Sequence, residues 1–261
     1  MVKSGGDPWL RMGTTIATAG VIGLAFTPFF ELPDRAAWPY IAISIAIHQV
    51  YFVSVCLGYR FGDLSQVYPI QRGIAPLLVA VGGYYFANEY LNTQGMIAVA
   101  LISLAILSLA LGSNLRLTAG PAVPIALFTG ALIAAYTVVD GLGGRLAGDI
   151  FGYIAWLSAL EALPFSLLVL WMVRRKPRAA NRRHILTGIG GGALAFLAYG
   201  LVIWAMSLTH LTYVSALRET SVILAAWMGS RLLGEPFGRY RIIAASLVAA
   251  GVLMLQISEA G

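Results

Sequence analysis

Apolar residues in this chain neither alternate nor keep to one helical face; they run in blocks. Nine blocks can be drawn, each about the twenty residues that a helix rising about 1.5 Å per residue needs to cross bilayer hydrocarbon. They are Met12 to Phe30, Trp38 to Leu57, Ser65 to Ala87, Thr93 to Gly112, Pro121 to Leu142, Ile150 to Val173, Ile185 to Leu208, Leu211 to Leu232 and Arg239 to Ile257. The links between them are short, so neighbouring helices are expected to run antiparallel. Lys3 and Arg11 imitate the start of a signal peptide, but the apolar stretch behind them is too long and no A-x-A site follows. The first block is therefore read as a membrane helix, and the fold class as an all-α polytopic membrane helix bundle.

The blocks also repeat. Arg72 precedes Glu89 by 17 positions and Arg218 precedes Glu235 by the same 17, a shift of 146 between the two pairs. Each arginine lies early in an apolar block and each glutamate just past its end, in ANEYL (87–91) and LGEPF (233–237). A shift of 142 aligns Lys3, Gly6 and Asp7 with Arg145, Gly148 and Asp149. Such matches imply duplication, with residues 1–116 as a first copy of four helices and 117–261 as a second of five. The partner of Pro121 to Leu142 would lie ahead of Met1, so the first copy is expected to lack its opening helix.

Composition agrees with the blocks. Of 261 residues, 59% are hydrophobic and 11% charged, and the mean hydropathy is +0.81, well away from the roughly one-quarter charged residues of soluble domains. The net charge of +6 gathers in RRKPRAANRRH (174–184), which suits cytosolic water and anionic lipid beside membrane helices. No basic stripe interleaved with exposed aromatics supports nucleic-acid binding. Basic residues collect on the side of Lys3, Arg11, Arg60, Arg116, the 174–183 run, Arg231, Arg239 and Arg241, whereas the other side has Arg35 and Arg145. The positive-inside rule makes the first side cytoplasmic and places the C-terminus outside, as in a multi-pass protein of a bacterial inner membrane. Cys56, the sole cysteine, lies in an apolar block and reads as a small core hydrophobe.

Three segments carry a family resemblance. GDLSQVYPIQRGIAP (62–76), YTVVDGLGGR (136–145) and ALRETSVILAAWMGSRLLGEPF (216–237) resemble the EamA branch of the drug/metabolite transporter superfamily, and the similarity runs in order from Val2 to Gln256. The resemblance implies a ten-helix carrier of two inverted five-helix repeats that moves small metabolites by alternating access. This chain departs from the pattern in its missing first helix and in its charge bias, since relatives are usually drawn with both ends in the cytoplasm.

Within that frame, Arg72 stands out. It lies about seven residues, roughly 10 Å, into its helix, at the limit of snorkelling, and Tyr68, Pro69 and Pro76 share its face. Prolines free backbone carbonyls, and lipid tolerates that only against protein or water, so the face is expected to point inward. Arg218 and Glu219 occupy the matching place in the second half, with Ser215 and Ser221 at helical spacing. Two guanidiniums near a pseudo-twofold axis would hold a carboxylate or phosphate, whereas a structural ion pair between Arg72 and Glu219 is the plainer alternative.

Glu161 and Asp140, acids in apolar surroundings, are candidates for proton coupling, although a local hydrogen bond accounts equally for Asp140. His48, with Tyr51 and Phe52 beside it, is a further candidate for binding or gating, or else a hydrogen-bonded core histidine. Glu89 and Glu235 read as structural or gating groups. GIGGG (188–192) follows no strand and is read as a close-packing surface rather than a nucleotide loop.

HExxH, GxSxG, paired-cysteine and Walker signatures do not occur in the sequence, so no enzyme, metal site or cofactor is expected. The expected partners are a small-molecule substrate, the lipid bilayer and, in a homodimer, a second copy of the chain. These features point to a secondary transporter that exports a small polar metabolite, an amino acid or organic anion, with proton coupling. A lipid flippase or non-transporting scaffold is the alternative.

Overall fold

The computed structural model describes residues 8–62, 64–111, 120–175, 182–221, 224 and 239–260. Among the described residues the helices are α1 (Pro8–Phe26), α2 (Trp38–Phe61), α3 (Leu64–Phe86), α4 (Thr93–Leu111), α5 (Ala122–Arg145), α6 (Ile150–Arg175), α7 (Arg182–Leu208), α8 (Leu211–Arg218) and α9 (Arg239–Ala260), with short 3₁₀ turns at Thr27–Phe29 and Arg35–Ala37. No strand occurs among them, and six of the helices are long and apolar enough to cross a bilayer. The protein is an all-α polytopic membrane helix bundle. The expected block boundaries agree with the helices to within a few residues; most of the eighth beyond Ser221 lies outside the described residues.

The eighth block starts at Leu211 as expected; α8 runs to Arg218, a turn covers Glu219 and Thr220, and Ser221 and Leu224 are helical again. The N–H groups of Glu219 and Thr220 reach only three residues back, to the carbonyls of Ala216 and Leu217, each at 3.1 Å. The Thr220 hydroxyl also donates to the Leu217 carbonyl at 2.7 Å. A hydroxyl competing for backbone carbonyls disfavours helix continuation.

The chain forms two compact units, each drawing segments from both halves of the sequence. The first comprises residues 1–59 and 139–208, the second 60–138 and 209–261.

In the first unit α1 packs along both α6 and α7. Small residues allow this on both sides. A Cβ on Gly13, Gly20 or Gly23 would overlap Val169, Ala162 or the Ala155 carbonyl of α6, and one on Gly188 or Gly192 would overlap Thr14, or the Thr15 carbonyl, of α1. In lipid, where hydrocarbon surrounds every helix, such backbone approach supplies the packing energy that the hydrophobic effect supplies in water. The GIGGG segment is thus a packing surface, and Gly190, with nothing within 4 Å of its would-be Cβ, takes no part. Leu10 and Ile16 of α1, Phe52 and Cys56 of α2, and Phe165 and Val169 of α6 form the core of this unit.

The α5–α6 link then fixes the start of α6. Gly148 adopts φ +71°, a left-handed turn open to glycine, against the Asp34 carboxyl. Asp149 caps α6 by accepting the Phe151 N–H at 2.9 Å, and its other oxygen accepts the Glu31 N–H at 2.9 Å.

In the second unit α4 lies between α3 and α9. Its core is made by Val99, Ile102, Ile106, Tyr213, Val248 and Leu255. Gly73 and Gly251 bring α3 and α9 against Leu107 and Ile102 of α4.

Candidate functional site

Two polar constellations lie inside these apolar helices, one in each unit. That of the second unit is built on Arg72. Pro69 and Pro76 stand within α3 on either side of it, and Pro76 has no N–H to offer the Arg72 carbonyl four residues earlier, which loosens the helix there. The guanidinium turns to the broken end of α8. Its Nε donates to Glu219 Oε2 at 3.2 Å, and Nη2 lies 3.1 Å from Oε1, a fork across both carboxylate oxygens. Nη2 also donates to the Arg218 carbonyl at 3.3 Å, at the C-terminal end of α8. Arg72 therefore satisfies both a buried carboxylate and a main-chain carbonyl at the turn that follows α8.

The surroundings are polar yet enclosed. Glu219 is 2% exposed, and the Arg72 side chain 13%. Ser215 is buried on α8, and Gln66 and Gln71 are buried on α3. Among the described residues the Gln66 side-chain amide nitrogen has no hydrogen-bond partner, a buried donor that invites a ligand or water. Tyr68 is partly buried against the core formed by α4, α8 and α9.

Glu89 works at the other end of α8. Asn88 takes φ 54°, and the Glu89 N–H reaches back six residues to the Gly83 carbonyl at 3.0 Å, closing the helix end past a left-handed residue. This curl aims the carboxylate at the start of α8, where its two oxygens accept the Leu211 N–H at 3.0 and 2.8 Å. His210, the residue in capping position, makes no side-chain cap bond. Glu89 supplies that cap from another helix, placing negative charge at the positive end of the α8 dipole. Glu235 lies outside the described residues.

The constellation of the first unit gathers Asp140, Glu161 and His48. Asp140, wholly buried at the end of α5, accepts a hydrogen bond from the Tyr153 hydroxyl at 3.2 Å and another from Tyr199. It thereby ties α5 to α6 and α7. Gly143 keeps this corner tight, since a Cβ there would meet Tyr153 and Tyr40. His48 Nδ1 lies 3.9 Å from Glu161 Oε2 and 3.0 Å from the Ser44 carbonyl. Tyr51, Phe52 and Tyr199 surround the imidazole with ring centroids 6.1, 5.8 and 5.7 Å away. The Gln49 side-chain amide donates to the main-chain carbonyl of Glu161 at 3.0 Å.

The structure thus joins Arg72, Arg218 and Glu219 in one place, with Ser215 buried on the same short helix, and joins His48, Tyr51, Glu161 and Asp140 in another. Sequence reasoning missed Tyr153, Tyr199, Ser44, Gln49, Gln66 and Gln71. The glutamines offered a signal, amides inside an apolar block within a few residues of Arg72 or His48. The tyrosines offered none, because isolated tyrosines are ordinary in membrane helices.

A crevice of about 310 Å³ also opens in the first unit, lined by Phe26, Phe30, Phe151, Phe196, Leu201 and Trp204 among others. Its walls carry no charged or amide side chain, so it suits hydrocarbon and not a polar metabolite.

Comparisons with known proteins place this architecture. Residues 121–257 match the family described as EamA-like transporter family. A solved structure titled "Crystal structure of protein" has a TM-score of 0.78 at 13% sequence identity, covering 98% of this chain and 90% of that one, a likeness of fold. No curated protein matches the chain.

Proposed function

This chain belongs to the EamA-like transporter family, and so to the membrane transporters of the drug/metabolite transporter superfamily; from that premise we propose that it is a secondary carrier exporting a small anionic or zwitterionic metabolite by alternating access. The observation that carries the reading is the Arg72 fork on Glu219 and its bond to the Arg218 carbonyl at the turn that follows α8. Interrupted helices at membrane depth are tolerated where they line a cavity, and in transporters their ends form substrate sites. A carboxylate or phosphate offers Arg72 the same planar pair of acceptors as Glu219 does. In this mechanism the substrate anion takes the fork, Glu219 is released, and α8 is freed to shift against α3. The ligand drives the change because it binds one state in preference to the other. Two inverted five-helix repeats, divided near residue 116, would supply the rocking halves, and the carboxyl groups of the first unit the coupling proton.

The apolar crevice of the first unit favours a second reading, a lipid flippase, because acyl chains match its walls. Reconstitution into liposomes separates the two. A panel of amino acids and organic acids, with and without a pH gradient, should yield flux of at least one solute and no scrambling of fluorescent phospholipid. Lipid scrambling without solute flux would establish the flippase instead.

A further inference from the structure

The apolar crevice of the first unit is made by the end of α1, the turn after it, the start of α6 and the last turns of α7. On α7 its lining recurs at Phe196, Gly200 and Trp204, and on α6 at Phe151 and Ala155, in each case four residues apart. Such spacing is one stripe along each helix, about 12 Å long on α7 at about 1.5 Å per residue. The crevice therefore runs lengthwise between membrane helices, the direction in which acyl chains lie. It also starts near the interface, because α1 ends at Phe26, α6 begins at Ile150 and α7 ends at Leu208.

Its walls are braced. Phe26 stacks on Phe30 and Phe196 with centroids 6.2 and 5.8 Å apart, and Phe30 stacks on Phe151 at 5.5 Å. Rings from α1, α6 and α7 thus hold one another, and the space does not close by the swing of a single side chain. Water finds no partners on these walls, and an unfilled apolar space forfeits the dispersion contacts of its lining atoms. Hydrocarbon supplies them, and Leu201, 53% exposed on the wall, leaves the crevice open to it from the side. At about 30 Å³ per chain carbon, a share like that of water in the liquid, the volume of about 310 Å³ holds about ten methylenes. That is the greater part of one acyl chain and too little for two.

We propose that the crevice binds one acyl chain of a bilayer phospholipid, and that this lipid is a resident of the first unit and not its cargo. A chain seated along the helix axes keeps its ordinary direction in the bilayer, with its headgroup at the interface where α6 begins. A headgroup crossing the membrane needs a polar path, and the crevice walls carry no charged or amide side chain. The lipid acts as a wedge that completes the packing of α1, α6 and α7 on their outer side. This proposal does not rest on the carrier reading above.

The test is native mass spectrometry of the full chain released from nanodiscs of phosphatidylethanolamine and phosphatidylglycerol, together with melts in detergent as phospholipid is added back. The wild type should retain one phospholipid per chain, and its Tm should rise with added phospholipid because the lipid binds the folded state. Gly200→Leu fills the space, at the cost of a small shift of the Ile154 side chain 3.2 Å from the new Cβ. Leu201→Gln sets an amide on the wall, which draws water in place of the chain. Each should lower the lipid-bound fraction about tenfold and flatten the response of Tm to phospholipid. Leu194→Gln, at a residue 65% exposed on the same helix and outside the crevice, should retain the lipid. A wild type that holds no phospholipid, or variants that all hold it alike, would overturn the proposal. So would phospholipid scrambling by the wild type that Gly200→Leu abolishes, since the lipid would then be cargo. A lipid-bound protein that moves no solute would refute the carrier reading alone.

Discussion

Exchange of Arg72 for alanine removes two supports at once: the fork on Glu219 and the donor to the Arg218 carbonyl. The carboxylate left behind is 2% exposed. Deleting one partner of a buried ion pair costs about 3–5 kcal/mol, because the remaining charge is stranded away from water. The 13% exposure of the Arg72 side chain admits some solvent to the gap, which argues for the lower end, about 3 kcal/mol. At about 2–4 °C per kcal/mol for a chain of this size, the apparent Tm should fall by about 6–12 °C. Removing both charges together, in Arg72→Met with Glu219→Leu, leaves no stranded charge and should bring stability back to within about 1–2 kcal/mol of the wild type, the remainder being the lost donor to the Arg218 carbonyl. The double-mutant cycle would then give a coupling energy of at least about 2 kcal/mol. Tryptophan-fluorescence melts of the purified protein in one detergent provide the readings. An Arg72→Ala protein as stable as the wild type, or two single changes that simply add, would refute the buried-pair account.

Other expectations come from the packing. Gly192→Ala drives a Cβ into the Thr15 carbonyl and should cost about 1–3 kcal/mol in the same melts, whereas Gly190→Ala, facing open space, should be neutral or stabilising by up to about 1 kcal/mol. Asp140→Ala leaves the phenols of Tyr153 and Tyr199 without their acceptor and should cost about 1–3 kcal/mol per phenol in a detergent-unfolding titration, with Asp140→Asn milder because one oxygen remains. Asn88→Gly should be tolerated at φ 54°, while Asn88→Val should lose about 1–2 kcal/mol and expose the Leu211 amide to faster hydrogen exchange as Glu89 withdraws.

The helices were legible because hydrocarbon thickness imposes one length on each apolar block, and blocks such as Trp38 to Leu57 and Ile150 to Val173 meet that length without ambiguity. The turn at Glu219 and Thr220 was not, since hydropathy averages over both within an otherwise apolar stretch. Its local cause, a threonine hydroxyl turned onto the Leu217 carbonyl, depends on rotamers that composition does not specify. Arg72, Glu219, His48, Glu161 and Asp140 each announced themselves as polar groups in costly surroundings. How they group was hidden: Arg72 and Glu219 are 147 positions apart, and only packing of α3 on α8 joins them. Helical spacing put Tyr68 on the face of Arg72, and its ring packs on the core that α8 shares with α4 and α9, a neighbourhood hydropathy does not specify. Tyr153 and Tyr199 became functional candidates only through Asp140, whose hydrogen bonds need three helices in place.

Counterflow of an anionic metabolite in proteoliposomes, comparing the wild type with Arg72→Lys, bears most directly on the claim that a guanidinium fork within the second unit binds the transported solute. Lysine keeps the charge and loses the paired donors, so the account predicts flux in the wild type and a loss of at least about tenfold in the variant, with the variant still folded and inserted. Equal flux from both proteins, or none from a folded wild type across the whole panel, would contradict it.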